Sequence, residues 1–197
     1  MTVTAWDDFP VHQSSDWIAH VATSDRNFYD RYYFNVLDTE GRYMIVMGLG
    51  QYPNLGTTDA FATVRIGDEQ HVVRSSKPLV DTWEGFGPAI PEPNQFIRNG
   101  TRVTFDTQRL AQMGSWSGTL TVAGQTIDVK PEVTWGSRDR SWGVRPIGER
   151  EPEGIYRDTF KPGGMWSYFP MRFEDHCIFY ICSEAVDGSR SLEQAER

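Results

Sequence analysis

This chain of 197 residues lacks the features that mark several common classes of protein. It contains only two cysteines and no block of lysines or arginines, and its net charge is −8 at pH 7. Without a basic patch there is no electrostatic footprint for nucleic acid, and an acidic surface is not attracted to anionic lipid headgroups. The longest apolar run is also far shorter than a membrane span. We therefore expect neither nucleic acid nor a membrane as a partner.

The two cysteines are predicted to stay unpaired. Cys177 and Cys182 lie five residues apart in one predicted strand, and odd spacing directs two side chains to opposite faces. The first eight residues lack the basic region and apolar core of a signal peptide. Free thiols without an export signal lead us to expect a location in the reducing cytoplasm.

Signals for metal, cofactor and nucleophile chemistry are also missing. His12, His20 and His71 are scattered without metal-ligand spacing, and no Gly-x-Ser-x-Gly turn occurs. His176 follows Asp175, which permits a proton relay, although a solvated turn pair is the favoured interpretation. The sequence therefore predicts no metal and no cofactor.

Strand signals and aromatic residues, by contrast, are abundant. Aromatic side chains make up 13% of the chain, a share typical of wide β interiors or apolar cavities. About ten strands separated by short turns indicate an all-β fold, either an antiparallel barrel or a sandwich, with a lipocalin-like barrel favoured. One short helix is predicted near Thr107–Met113.

The spacing of prolines predicts three regions. Residues 1–80 form an N-terminal β region, 81–100 a linker or loop rich in Pro and Gly, and 101–197 a C-terminal β region. Four N-terminal strands are too few to close a barrel, so either the two halves share one sheet system or strands are missing. The last strand is followed by a polar tail from Ser189, and an open strand edge there favours an incomplete domain or a partner chain such as a homodimer.

The most distinctive motif runs from Trp135 to Arg145 and combines three arginines, one aspartate, two tryptophans and two glycines. Alternation along a strand directs Asp139 to one face and both Arg138 and Arg140 to the other. Such a cluster can hold an oriented carboxylate at the wall of a pocket, or it can brace a barrel without any reaction.

Within this motif, Asp139-Arg140-Ser141-Trp142-Gly143 resembles a signature of the carotenoid 1,2-hydratase-like, or AttH-like, superfamily. The resemblance is strongest to uncharacterised bacterial members with an Arg-Asp-His-Ser-Trp-Gly motif, and it implies two lipocalin-type barrels in tandem. Family members are longer, and the passage from Lys77 to Phe86 looks like a join across missing strands, so a shortened relative with a truncated C-terminal region is expected. Arg140 replaces a histidine that would be a natural proton carrier in relatives.

Three functions follow as hypotheses. The leading one is binding of a hydrophobic small molecule, isoprenoid or lipid-like, in a β-barrel cavity. The alternatives are a hydratase- or cyclase-type enzyme and a non-catalytic module that pairs through a strand edge. In the enzyme Asp139 would be the general acid, although neighbouring arginines favour its deprotonated form. The predicted ligand-binding residues are Trp135, Arg138, Arg140, Trp142, Arg145 and Trp166.

Overall fold

The computed structural model describes residues 23–79, 109–144 and 164–197 in full, and residues 95–98 and 103–105 as backbone strands. In these residues every regular element is a strand, apart from one 3-10 turn at Pro53–Leu55. None of them forms a helix long and apolar enough to cross a membrane. The strands are β1 (Phe28–Asp38), β2 (Tyr43–Tyr52), β3 (Thr57–Ile66), β4 (Glu69–Pro78), β5 (Gln95–Arg98), β6 (Val103–Phe105), β7 (Arg109–Val122), β8 (Gln125–Val129), β9 (Thr134–Val144), β10 (Met165–Arg172), β11 (Cys177–Glu184) and β12 (Arg190–Glu196).

Strands from both sides of the predicted linker share one antiparallel sheet, in the order β4-β3-β2-β1-β9-β7-β5. Strand β9 joins the two halves of this sheet by pairing with β1, from Phe28 opposite Val144 to Asp38 opposite Thr134. The compact units are accordingly residues 1–144 and 145–197. Of the predicted linker 81–100, only residues 95–98 are described, and they form β5.

The sheet curls because β7 changes partners at Gly118. Residues Gly114–Ser117 pair with β5, whereas those from Gly118 onward pair with β8. Gly118 has a φ of +134°, which residues with a side chain rarely adopt, so glycine permits the bend. The β7–β8 hairpin then packs over the inner face of the sheet, and Trp116 and Val129 join a core with Phe34, Val36 and Ile45. This is an all-β, lipocalin-like half-barrel, as the sequence predicted.

The helix predicted near Thr107–Met113 is wrong. Residues from Arg109 onward lie in β7, and the two residues before it are outside the described part of the chain. This segment pairs with β6 on one side and β9 on the other, and Leu110, Ala111 and Met113 are all buried. Because both faces of this segment are buried, its sequence lacks the apolar–polar alternation that identifies a half-buried strand.

The second unit contains a small sheet in the order β10-β11-β12. A hairpin around Asp175 joins β10 to β11, and Cys177 and Cys182 are both free thiols, as expected from their spacing. The polar tail predicted after Ser189 is wrong, because Arg190–Glu196 pairs with β11 as β12. Its polar residues gave no strand signal, since only alternate positions of this edge strand are half-buried.

Candidate ligand site

The motif from Trp135 to Val144 lies in β9, a strand between β1 and β7 whose residues are mostly buried. Residues 138, 140 and 142 share the face that lies opposite Phe34, Tyr32 and Asp30 of β1, which is the core face of the half-barrel. Asp139 and Ser141 point to the opposite face. The predicted division of Asp139 from Arg138 and Arg140 therefore follows from the strand register.

On the core face, Arg140 forms a buried, two-pronged ion pair with Asp30. Its Nη2 lies 2.6 Å from Asp30 Oδ2, and its Nε donates to Asp30 Oδ1 at 3.1 Å. The side chains are only 2% and 0% exposed. A guanidinium matches a carboxylate in this planar geometry, and each charge requires the other where water is excluded.

Two aromatic rings flank the same guanidinium. The Arg140 Cζ lies 4.9 Å from the centre of the Tyr32 ring and 5.6 Å from that of Trp142. Both distances are within the range of cation–π attraction. The structure therefore confines Arg140 by a carboxylate and two rings at once.

On the opposite face, Asp139 is paired with Arg109 of β7, through Arg109 Nη1 and Asp139 Oδ2. The Asp139 side chain is 6% exposed and that of Arg109 is 14% exposed. A guanidinium in contact favours the carboxylate anion over the acid. In this arrangement Asp139 resembles a structural counter-ion more than a proton donor.

Further along the two strands, side-chain hydrogen bonds between Asn35 and Ser137 replace part of the β1–β9 ladder. The amide of Ser137 donates to Asn35 Oδ1 at 2.7 Å, and the Asn35 Nδ2 donates to Ser137 Oγ at 2.9 Å. The Trp116 indole N–H donates to the Asn35 carbonyl at 3.1 Å. A side chain at Gly136 would collide with that carbonyl and come within 2.7 Å of the indole nitrogen. Glycine therefore lets the indole of Trp116 lie close against β9.

Trp116 forms part of an apolar pocket of about 370 Å³ on the core face. Strands from opposite sides of the sheet contribute to it. Residues of β3 and β4 line one part of the pocket, and residues of the β7–β8 hairpin line another. The lining is almost entirely aliphatic, with His71 and Thr121 as its polar members. It consists of Val36, Ile45, Met47, Ala62, Val64, His71, Val72, Val73, Trp116, Leu120, Thr121, Val122 and Val129.

Of the residues predicted to bind the ligand, none that the structure describes lines this pocket. Arg138 donates from Nε to Gln112 Oε1 at 3.0 Å, and Trp135 is 36% exposed on the face opposite the core. Trp166 lies in the second unit and is 50% exposed. Arg145 lies outside the described residues. The structure thus brings Arg140 and Trp142 together, with Arg138 on the same face, and separates Trp135 from them.

Sequence reasoning missed Asp30, Arg109 and the aliphatic pocket. Asp30 is an acidic residue inside the apolar and aromatic run of β1, which is an unusual place for a charge and was a usable signal. Arg109 stood in the segment taken as helix, so its strand partners were not considered.

The Asp175–His176 pair occupies a turn of the second unit, with Nδ1 2.6 Å from Asp175 Oδ1. Asp175 is largely exposed, and the His176 ring stacks on Phe173 at 4.6 Å. The hydrogen bond from His176 lowers the pKa of Asp175. These contacts fit the interpretation as a turn pair. Among the described residues, no three His, Cys, Asp or Glu side chains are grouped as metal ligands.

The fold and the pocket define a lipocalin-like half-barrel protein. The chain belongs to DUF8625, a family of unknown function whose model matches residues 3–88 and 82–196. No curated protein matches its sequence.

The chain is similar to two solved structures. An AttH-like protein from Nitrosomonas europaea gives a TM-score of 0.50 at 11% identity, covering 89% of this chain and 66% of that one. Kievitone hydratase from Nectria haematococca gives a TM-score of 0.42 at 14% identity, covering 89% of this chain and 64% of that one. The chain thus spans just under two thirds of the length of these structures. The first likeness agrees with the predicted AttH-like resemblance at the level of the fold.

Proposed function

We propose that this protein binds a hydrophobic small molecule in the apolar pocket of its half-barrel. The observation that carries the proposal is the pocket itself, a concave space of about 370 Å³ lined mainly by aliphatic side chains of β3, β4 and the β7–β8 hairpin. Its size falls within the range of small-molecule sites, which are concave, largely apolar and furnished with few polar groups. An isoprenoid or another lipid-like molecule has the matching chemistry.

The buried Asp30–Arg140 pair supports binding by fixing β9 against β1 at the end of the core face away from this pocket. It joins β1 to β9 on the core face, and the Trp116–Asn35 bond joins β7 to β1. A preformed pocket loses less conformational entropy when its ligand enters.

The hydratase-type alternative, with Asp139 as acid, receives less support from the geometry. Asp139 faces away from the pocket and contacts Arg109, so protonation of an alkene in the pocket would need a different donor. An Asp139→Asn variant tests this alternative, because loss of turnover with an unchanged ligand affinity would support catalysis by Asp139.

The experiment that tests binding uses N-phenyl-1-naphthylamine, a neutral apolar dye whose fluorescence rises when it leaves water. We expect saturable binding by the wild-type chain. Ala62→Phe places a ring inside the pocket and should weaken binding at least tenfold.

Thr63→Phe is the matched control, because it places the same ring on the opposite face of β3, outside this pocket. It should bind the dye like the wild type. Equal affinity of all three proteins, or no saturable binding by the folded wild type, would contradict the proposed function.

A further inference from the structure

At the opposite end of the core face from the pocket, Gln51 is buried without a hydrogen bond. It is 1% exposed, and among the described residues neither its Oε1 nor its Nε2 has a partner. Buried polar side-chain atoms are nearly always paired, because an unpaired amide loses its bonds to water without replacement. A carboxamide in this position points to a polar partner that the described part of the chain does not supply.

The immediate neighbours of Gln51 use their polar atoms elsewhere. Its cross-strand partners are Asp30 on β1 and Thr58 on β3, which are 0% and 3% exposed. Asp30 receives two bonds from Arg140, and the Thr58 hydroxyl donates to the Gly50 carbonyl at 2.9 Å. The Gln51 amide therefore has both a donor and an acceptor to offer.

The core face between Gln51 and the pocket is partly open. Met47 lines the pocket, and Leu49 and Gln51 follow it on the same face of β2, so the backbone distance from Met47 to Gln51 is about 13 Å. Leu49 and its neighbours Tyr32 and Ala60 on the adjacent strands are only half-buried. An extended alkyl chain advances by about 1.3 Å per carbon, which is the projection of a C–C bond of about 1.5 Å. A chain of roughly ten carbons therefore spans this distance.

We propose that Gln51 binds the polar head of an amphiphilic ligand whose apolar body lies in the pocket, and that this head is a neutral hydroxyl. This assignment rests on the proposed function. A hydroxyl donates to Gln51 Oε1 and accepts from Nε2, which satisfies both atoms. A carboxylate head would lie beside the buried Asp30 carboxylate. Arg140 already pairs with Asp30, so the head would lose its water without gaining an opposite charge of its own.

The test compares decane, 1-decanol and decanoic acid as competitors of N-phenyl-1-naphthylamine. The wild type should bind 1-decanol about tenfold more tightly than decane, the difference that one satisfied hydrogen bond of a buried amide provides, and should bind decanoate no better than decane. In Gln51→Leu the preference for 1-decanol should disappear while the affinity for decane is retained. Leucine keeps the bulk of the side chain and removes only the amide, so decane serves as the control for pocket integrity.

The outcomes separate the two proposals. If decane and 1-decanol displace the dye equally from the wild type, and Gln51→Leu changes neither, the head-group assignment is wrong while the apolar site stands. Tighter binding of decanoate than of 1-decanol would refute the neutral head. If no competitor displaces the dye and the dye itself does not bind, the proposed function fails, and the head-group assignment fails with it.

Discussion

Replacing Arg140 with methionine should destabilise the protein by roughly 3–5 kcal/mol, because it leaves the buried carboxylate of Asp30 without its countercharge. We expect a cost of this size because Arg140 and Asp30 share two hydrogen bonds of 2.6 and 3.1 Å, and because their side chains are only 2% and 0% exposed. Asp30→Leu should cost a similar amount by leaving the guanidinium unpaired. Methionine retains much of the apolar contact of Arg140 with Tyr32 and Trp142 but not the cation.

The double variant Asp30→Leu/Arg140→Met distinguishes a paired charge from simple loss of packing. Because neither charge is then left alone, its cost should be smaller than the sum of the two single costs by about 2–3 kcal/mol. The assay is equilibrium unfolding in urea, followed by the fluorescence of tryptophan. Arg65→Met is the surface control, since Arg65 lies 4.0 Å from Asp68 with 59% of its side chain exposed, and it should change stability by less than about 0.5 kcal/mol. Additive single costs, or an Arg140→Met cost as small as that of Arg65→Met, would refute the reasoning.

Two further predictions concern the ends of β9 and β1. Gly136→Ala should cost about 1–3 kcal/mol in urea unfolding, because its methyl group would displace Trp116 from the Asn35 carbonyl; an unchanged midpoint would show that the indole does not need this space. Hydrogen bonds from the Arg42 side chain hold the pKa of Asp38 below its usual value of 3.8. The Asp38 carboxylate therefore stabilises the fold above pH 3.8, and this stabilisation is lost as the pH falls through the lowered pKa. Asp38→Asn should therefore be less stable than the wild type at pH 7, and the difference should narrow by pH 3; a constant difference across this range would contradict the assignment.

Local patterns were sufficient to predict much of the fold. The hairpins around Gly41 and Gly67 have short turns between alternating strands, a local pattern that the sequence displays, and both are present. The same alternation placed Asp139 and Arg140 on opposite faces of β9. These features depend on residues close together in sequence, where side-chain period and turn chemistry are informative.

The candidate site could not be predicted in the same way, because its contacts join distant segments. Arg140 and Asp30 are 110 residues apart, and their pairing depends on β9 crossing to β1. The motif also drew attention to tryptophans, whereas the pocket is lined by aliphatic side chains with one aromatic, Trp116. Single valines and isoleucines on separate strands carry no signal of a shared cavity until the curl of the sheet is known.

The most direct test of the account is to locate the bound ligand by NMR. With 1-decanol and methyl-labelled protein, we predict intermolecular NOEs from the alkyl chain to the methyl groups of Ile45, Val64 and Val122, which line the pocket. NOEs confined to exposed methyl groups of the second unit, such as Met165 and Met171, or no intermolecular NOEs at saturating ligand, would contradict the central claim.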